Sequence, residues 1–155
     1  MSLLAAAGHR RARLSGFTLI ELLVVIGIVA ILSAIGIPAY NGYVTDSRRA
    51  SATSSLRNIY LAQLDFRSQT GGFYDSSGAP NDCSAVAVAG AVDDTAAIVG
   101  GLFAGTDVVG VFSYRFCVDS AAGVFTAWAS DGTTTCGINQ SNQIIDAGNA
   151  VVGQC

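Results

Sequence analysis

An almost unbroken apolar run near the N-terminus constrains this chain more than any other feature. The run extends from Phe17 to Ile37 and contains a single charged residue, Glu21. As a helix, its 21 residues would span about 31 Å, which is the thickness of the hydrocarbon core of a bilayer. The residues before the run include three arginines between positions 10 and 13 and no acid, and such basic residues favour the cytoplasmic side. The sequence therefore predicts a membrane-crossing helix, with the rest of the chain outside.

Two simpler interpretations of this run are a plain membrane anchor and a secretory signal cleaved after Ala34-Ile35-Gly36. The run is longer than the roughly 7–15 apolar residues of a signal core. A carboxylate within the run also costs a few kcal/mol in lipid, although the cost is smaller near the edge. Both observations argue against an ordinary secretory signal.

A specific motif stands at the start of the run. Gly16-Phe17-Thr18-Leu19-Ile20-Glu21, followed by the apolar helix and Pro38, resembles the type IV pilin and pseudopilin family of bacteria. In that family a membrane prepilin peptidase cuts directly after the glycine and methylates the new terminal amine. The resemblance implies that residues 1–16 are a leader, that cleavage follows Gly16, that Phe17 is N-methylated and that Glu21 serves assembly. It is strongest from Gly16 to about Tyr74.

The position of Glu21 also has a physical consequence of its own. In a helix it would lie about 6 Å, or one turn, from Phe17. The helix dipole favours an anion at that end, but an unpaired carboxylate in lipid is still costly. In the resembling family the cationic partner is the terminal amine of a neighbouring copy. The alternative is a carboxylate that reaches the interface or becomes protonated there.

The helix is expected to continue beyond the apolar run. Gly36, Pro38 and Gly42 predict a kink there, because helical periodicity resumes after them. The residues that recur at spacings near three, four and seven are Tyr40, Val44, Leu56, Ile59, Tyr60 and Leu64. We assign to the polar faces of this helix Arg48, Arg49, Arg57 and Gln63. We expect a transmembrane or filament-core helix at residues 17–38 and an extracytoplasmic headgroup at residues 39–155, whose helix continues to about residue 68.

Strand signals follow in the second half of the chain. Residues 108–118 and 124–129 are rich in β-branched and aromatic residues, with turns expected at residues 119–123 and 130–133. A third strand is expected within residues 135–145, and the Ala/Val-rich part of the connection at residues 73–106 is read as a small helix or strand. The predicted fold class is α+β: a long N-terminal helix packs by its second half on a small antiparallel sheet, as in type IV pilins.

Four cysteines lie on the side predicted to leave the cytoplasm: Cys83, Cys117, Cys136 and Cys155. The chain has no C-x-x-C pair and no histidine outside the leader, so two disulfides are favoured over a metal site. Three connectivities are possible. We favour Cys83–Cys117, which would tie the connection to the sheet. We also favour Cys136–Cys155, because the resembling family often closes its C-terminal region.

Catalysis is not expected. The chain has no lysine, and its one histidine, His9, lies in the predicted leader, so the mature chain would lack the usual groups that activate a nucleophile. Asp93-Asp94 is a weak calcium signal without further spaced oxygen ligands, and solvated turn residues are the favoured alternative. No catalytic residue, cofactor or metal site is predicted.

The resemblance implies a structural subunit of a type IV pilus. The stretches Ala39–Val44 and Arg48-Arg49-Ala50, and the ending that runs from Gln63 to Gly71-Gly72-Phe73-Tyr74, resemble minor pilins of the PilE kind in Gram-negative bacteria. The implied partners are the prepilin peptidase, other pilin subunits, the inner-membrane assembly platform, an outer-membrane secretin, and membrane lipid before assembly. Such filaments, driven by separate ATPase motors, serve adhesion and twitching motility.

Two other functions stay open. A type II secretion pseudopilin would share the N-terminal motif. A DNA-uptake or adhesive pilin would instead carry a site for a surface ligand. Without the leader, five arginines oppose eleven acids, a net charge of 5 − 11 = −6, which repels a polyanion. Nucleic-acid binding is therefore not expected unless a local patch forms around Arg48 and Arg49.

Overall fold

The computed structural model describes residues 16–76, 83–90, 92–106 and 114–155 of the chain. The chain divides into two compact units, the first ending at Asn41 and the second comprising Gly42–Cys155. The first helix, α1, extends over Leu19–Thr70 and has Pro38 in its interior. The expectation that the helix continues past Gly36, Pro38 and Gly42 therefore holds, whereas the kink stays a prediction.

Helix α1 ends at a glycine in the left-handed region. Gly71 has a φ of 84°, and its N–H donates to the carbonyl of Arg67 at 2.8 Å. A residue with a side chain is strained in this conformation, whereas glycine adopts it readily and so commonly ends helices. The last helical residue is Thr70, two residues beyond the end expected at about residue 68.

The second unit contains two short helices and one sheet besides the end of α1. Helix α2 is Ala85–Gly90 and helix α3 is Thr95–Leu102. The strands are β1 Arg115–Ala121, β2 Val124–Ser130, β3 Thr135–Asn139, β4 Ile144–Asp146 and β5 Val151–Val152. All neighbouring pairs are antiparallel and the spatial order equals the chain order. The α+β class predicted from the sequence is confirmed.

Several predicted boundaries in this unit were wrong. The first hairpin turn is only Ala122-Gly123, because β1 continues to Ala121 and its last residue pairs with Val124. The expected third strand is two strands, β3 and β4, joined by a turn. The Ala/Val-rich connection forms helices, and its β alternative is excluded for residues 85–90 and 95–102. The part of the first predicted strand at residues 108–113 lies outside the described residues.

Helix α1 contributes one face to the core of the second unit. Its fully buried positions Ala52, Leu56, Ile59 and Gln63 follow each other at spacings of four, three and four, which places them on one side of a helix. Tyr60 is half-buried, but Tyr40 and Leu64 are exposed. Those two were expected on the apolar face and do not contribute to this core.

The sheet is covered on both faces. Alternate residues of the strands, such as Phe116, Phe125 and Ile138, join the cluster that includes the buried side of α1. The residues between them face the other way, and Trp128 and Cys117 form a second cluster with α2. This alternation is the period-two geometry of strands. The sequence predicted the first layer, and the Ala/Val-rich connection, expected as a small helix or strand on the sheet, supplies the second layer as α2.

Candidate functional site

The predicted cleavage residues precede α1 and are exposed. Gly16, Phe17 and Thr18 are not helical, and Phe17 is 85% exposed. A Cβ built on Gly16 would meet no described atom within 4 Å, and its φ is not in the left-handed region. Nothing in the described part of the fold therefore requires glycine at this position. A requirement for glycine here would have to come from another molecule.

Thr18 caps the helix. The N–H of Glu21 approaches both the side-chain and the main-chain oxygen of Thr18, at 3.3 and 3.2 Å. This is the N-cap geometry that satisfies one of the first N–H groups of a helix. The Thr-x-x-Glu spacing is also that of a capping box. Thr18 is therefore the N-cap of α1, whose first helical residue is Leu19.

Glu21 lies in the first turn of α1 and is exposed. Among the described residues no cation lies within 4.0 Å of the Glu21 carboxylate. The ion pair in that part of the chain joins Arg49 to Asp46. Phe17 precedes the helix, which begins at Leu19, so the expected separation of one helical turn between Phe17 and Glu21 stays a prediction. The role of Glu21 in assembly requires a second copy, so it stays a prediction.

No described residue of this chain buries the apolar run. Helix α1 is long and apolar enough to cross a membrane, and none of its most apolar stretch is buried. Every isoleucine, leucine and valine from Leu19 to Ile37 is more than half exposed. Gly36 and Gly42 likewise have no described neighbour within 4 Å of a built Cβ. A surface of this size in water would be an interaction site or a source of aggregation.

The two disulfides join the pairs favoured from the sequence. Cys83 is bonded to Cys117 with a Cα–Cα distance of 5.7 Å, and Cys136 to Cys155 with 5.4 Å. No free cysteine occurs. The N–H of Cys155 also donates to the Thr53 hydroxyl of α1 at 3.0 Å. The C-terminal residues are therefore fastened both to β3 and to α1.

Sequence reasoning missed Gln63. It was assigned to a polar face, yet it is fully buried. Its Nε2 donates to the carbonyl of Tyr74, and its Oε1 accepts the N–H of Tyr74, both at 2.8 Å. The Tyr74 hydroxyl in turn donates to the Ala97 carbonyl at 2.8 Å. The spacing of Gln63 from Ile59 could have placed it on the buried side, but only apolar residues were counted.

A polar cluster joins α1 to the β2–β3 turn. Asp131 accepts the N–H groups of Thr133 and Thr134 at 2.8 and 2.7 Å. Burial alone would raise the pKa of Asp131, but these hydrogen bonds and the charge of Arg49 lower it below its usual value. Burial, followed by the Asp131 charge, raises the pKa of Tyr114. Arg49 Nε is buried without a hydrogen-bond partner in the described residues.

The two adjacent acids that weakly suggested calcium have local partners. Asp93 accepts the N–H and the hydroxyl of Thr95 at the start of α3. Asp94 accepts the hydroxyl of Ser76 at 2.8 Å. Within the described ranges no three histidine, cysteine or acidic side chains gather as metal ligands would. The arrangement is that of turn and helix-start residues.

Comparisons with known proteins each match only part of the chain. Residues 11–37 match the prokaryotic N-terminal methylation motif. The chain is 67% identical over 44 residues to prepilin peptidase-dependent protein D of Escherichia coli (strain K12), covering 28% of each chain. It is 40% identical over 60 residues to the type IV major pilin protein PilA of Myxococcus xanthus (strain DK1622), covering 39% of this chain and 27% of PilA.

A third relative shows the same pattern. The type IV major fimbrial protein FimA of Dichelobacter nodosus is 54% identical over 39 residues, which is 25% of this chain and 24% of FimA. The matched part thus spans about a quarter of the length of these curated relatives. The motif and the relatives' names support a type IV pilin or pseudopilin family.

Proposed function

We propose that this chain, from the type IV pilin or pseudopilin family, is a structural subunit of a type IV pilus, and a minor one. The observation that carries the proposal is the cleavage motif directly before a helix whose apolar surface has no cover. Lipid covers that surface before assembly and other subunits cover it afterwards. The minor role is supported by the resemblance of residues 39–74 to PilE-like minor pilins.

The proposed path begins in the inner membrane. The chain crosses it once, with residues 1–16 on the cytoplasmic side, in a Gram-negative bacterium. The prepilin peptidase cuts after Gly16 and methylates Phe17. The assembly platform then inserts residues 17–38 into the filament core, and the headgroup at residues 39–155 leaves through the secretin. The exposure of Phe17 and the Thr18 cap fit this path, because both the cleaved bond and the new helix start are accessible.

Glu21 selects the register of one subunit on the next. Its carboxylate attracts the terminal amine at Phe17 of a neighbouring copy. In lipid such a pair is poorly screened, so a contribution of a few kcal/mol remains after part is lost to desolvation of both groups. The otherwise interchangeable apolar helices thereby acquire one preferred axial position.

The test compares three chains in the native cell: the wild type, Glu21→Ala and Glu21→Gln. We expect both variants to be exported, inserted and cleaved normally, since the carboxylate is outside the cleaved bond and its removal eases insertion. Both should be depleted from sheared filaments, since both lack the charge. Normal recovery of Glu21→Ala would contradict the register role, and accumulation of uncleaved precursor would assign Glu21 to processing.

A pseudopilus subunit is the other candidate, because the methylation motif ends at residue 37 and the matched relatives cover 28% and 39% of the chain. Immunoelectron microscopy of sheared surface filaments separates the two. Labelled long pili support the proposal, with label along the shaft indicating a major subunit and sparse or terminal label a minor one. Label confined to the periplasm of cells that secrete by a type II system would contradict it.

A further inference from the structure

The two edge strands of the sheet differ in length. Strand β5 at one edge has two residues, whereas β1 at the other edge has seven. An edge strand presents backbone N–H and C=O groups with which another strand can pair, and a very short edge strand presents few of them. The edge at β1 is therefore the one that would accept a further strand if nothing covered it.

Side chains from the connection between α1 and β1 cover this edge. Because successive residues of an edge strand direct their backbone groups alternately to the neighbouring strand and away from it, every second residue of β1 has an N–H group that points away from β2. All three of these N–H groups donate to side-chain oxygens of the connection: Phe116 to Thr95 at 3.3 Å, Val118 to Ser76 at 2.9 Å and Ser120 to Asp75 at 2.8 Å.

The connection also supplies backbone donors, as a paired strand would. The N–H of Ser76 donates to the Val118 carbonyl at 3.0 Å, and the N–H of Asp94 donates to the Phe116 carbonyl at 2.8 Å. The Ser76 hydroxyl donates to the Asp94 carboxylate at 2.8 Å and so links the two covering segments. We call the four covering residues the edge cover: Asp75, Ser76, Asp94 and Thr95.

The edge cover satisfies β1 without adding a strand to the sheet. Serine, threonine and aspartate side chains readily bond nearby backbone groups in place of a strand ladder, so no new row of unpaired N–H groups arises beyond them. Burial, followed by the charges of Asp94 and Asp75, raises the pKa of Tyr74, which shows that both carboxylates act close to this edge. Charged side chains at a sheet edge oppose pairing with a second edge.

We propose that β1 is a latent pairing edge and that the edge cover keeps two copies of this chain from pairing there. With the cover removed, the β1 strands of two copies pair antiparallel, with Val118 opposite Val118 of the second copy and Phe116 opposite its Ser120. This register uses the same outward groups that the cover now occupies. The contact is isologous and closed, so it gives dimers that do not extend into a filament. The inference goes beyond the proposed function and involves the sheet edge alone.

The test uses the full chain in a density-matched detergent and measures the dimer dissociation constant by sedimentation. Asp75→Ala/Ser76→Ala, which we call the opened chain, should lower this constant about tenfold or more relative to the wild type, because two N–H groups of each β1 lose their acceptors. Asp146→Ala is the matched control, since it also removes one carboxylate and the acceptor of two backbone N–H groups, those of Gly148 and Ala150. The control should dissociate like the wild type.

Ser120→Pro in the opened chain identifies the surface that pairs. Proline removes the N–H of residue 120, which donates to Asp75 and not to β2, and proline within a sheet is tolerated only at such edge positions. Pairing through β1 needs this N–H, so Ser120→Pro should return the dissociation constant to the wild-type value. Dimers that persist with Ser120→Pro form through another surface, such as the exposed part of α1.

Three results overturn this inference: an opened chain that dimerises no more strongly than the wild type, an equal gain for Asp146→Ala, or no reversal by Ser120→Pro. Free-thiol titration checks that both disulfides formed in each variant. If the opened chain fails that check, Ser76→Ala alone decides, with a smaller gain expected and wild-type dissociation contradicting the inference. If Ser120→Pro fails it, hydrogen exchange of the opened chain decides: protection of the Val118 N–H that rises with protein concentration supports pairing through β1, and constant protection contradicts it.

These measurements are separate from the test of the proposed function. A wild-type chain that is processed but absent from filaments would contradict that function and would leave the dissociation constants unchanged. An opened chain that stays monomeric would contradict the role of the edge cover and would leave filament assembly of the wild type unchanged.

Discussion

The two units of this chain use apolar residues in opposite ways. Between residues 19 and 41 the large apolar side chains of α1 are exposed, and none of these residues is buried. From Gly42 onward, α1 buries Leu56 and Ile59 against a sheet that two disulfides reinforce. The same helix therefore carries a surface that requires other molecules and a surface that its own chain covers. Substitutions in the first should change insertion and assembly, and substitutions in the second should change stability.

The clearest test of this comparison is the same substitution, leucine to alanine, at one position in each unit. Leu56 is fully buried, whereas Leu22 is 61% exposed. Leu56→Ala should lower the free energy of unfolding by about 2–5 kcal/mol, through lost burial and a cavity, and Leu22→Ala by less than about 0.5 kcal/mol. The fluorescence of Trp128, the single tryptophan, reports unfolding of the full chain in detergent. Equal losses would contradict the division.

A smaller effect is expected from a buried amide. Gln63→Leu leaves the Tyr74 N–H and carbonyl without their partner. Because Tyr74 is only half-buried, water can replace part of what is lost, and we expect a total loss of about 1–3 kcal/mol. The control is Gln69→Leu on the same helix, because exposed Gln69 donates only to the Asp65 side chain and should change stability by less than about 0.5 kcal/mol. Denaturant unfolding of both variants measures the difference. A Gln63→Leu protein as stable as the control would show that Gln63 is not needed to hold the connection.

The smallest expected effect depends on pH. Asp131 has a folded-state pKa below its ordinary value of 3.8. Its contribution to stability is therefore complete above that ordinary value and is lost as pH falls through the lower folded-state pKa. Asp131→Asn keeps an oxygen acceptor for Thr133 and Thr134 but removes the charge near Arg49. Unfolding curves at a series of acidic pH values should show a shallower loss of stability in the variant. Identical slopes would contradict the assigned role.

The parts of the fold that the sequence predicted are those set by length and periodicity. The apolar run to Ile37 predicted a helix long enough to cross a membrane. The core face at Leu56 and Ile59 repeats at helical spacing. Strand β2 begins at Val124, as predicted, since an Ala-Gly turn precedes it. Local chemistry was sufficient in these cases.

A local turn was overlooked in one place, and tertiary contacts decided the rest. The β3–β4 turn was missed although Asn139 accepts the N–H groups of Ser141 and Gln143 and so builds the turn itself. The fate of residues 85–90 was open, because short apolar runs suit helix and strand equally. Gly137 is required by Trp128 on the adjacent strand, whose ring would lie 2.7 Å from an added Cβ. No local pattern reveals such a contact.

The central claim is that the chain is cut before its apolar helix and keeps that helix. Intact-mass analysis of the chain from membranes and from sheared filaments tests it most directly. The account predicts a mature chain that begins at Phe17 with one N-methyl group and has 155 − 16 = 139 residues. Gly16→Ala should give the same product, whereas a bulky residue such as Gly16→Leu should leave the leader attached. A wild-type chain that retains its leader, or that begins near Ile37, would contradict the account.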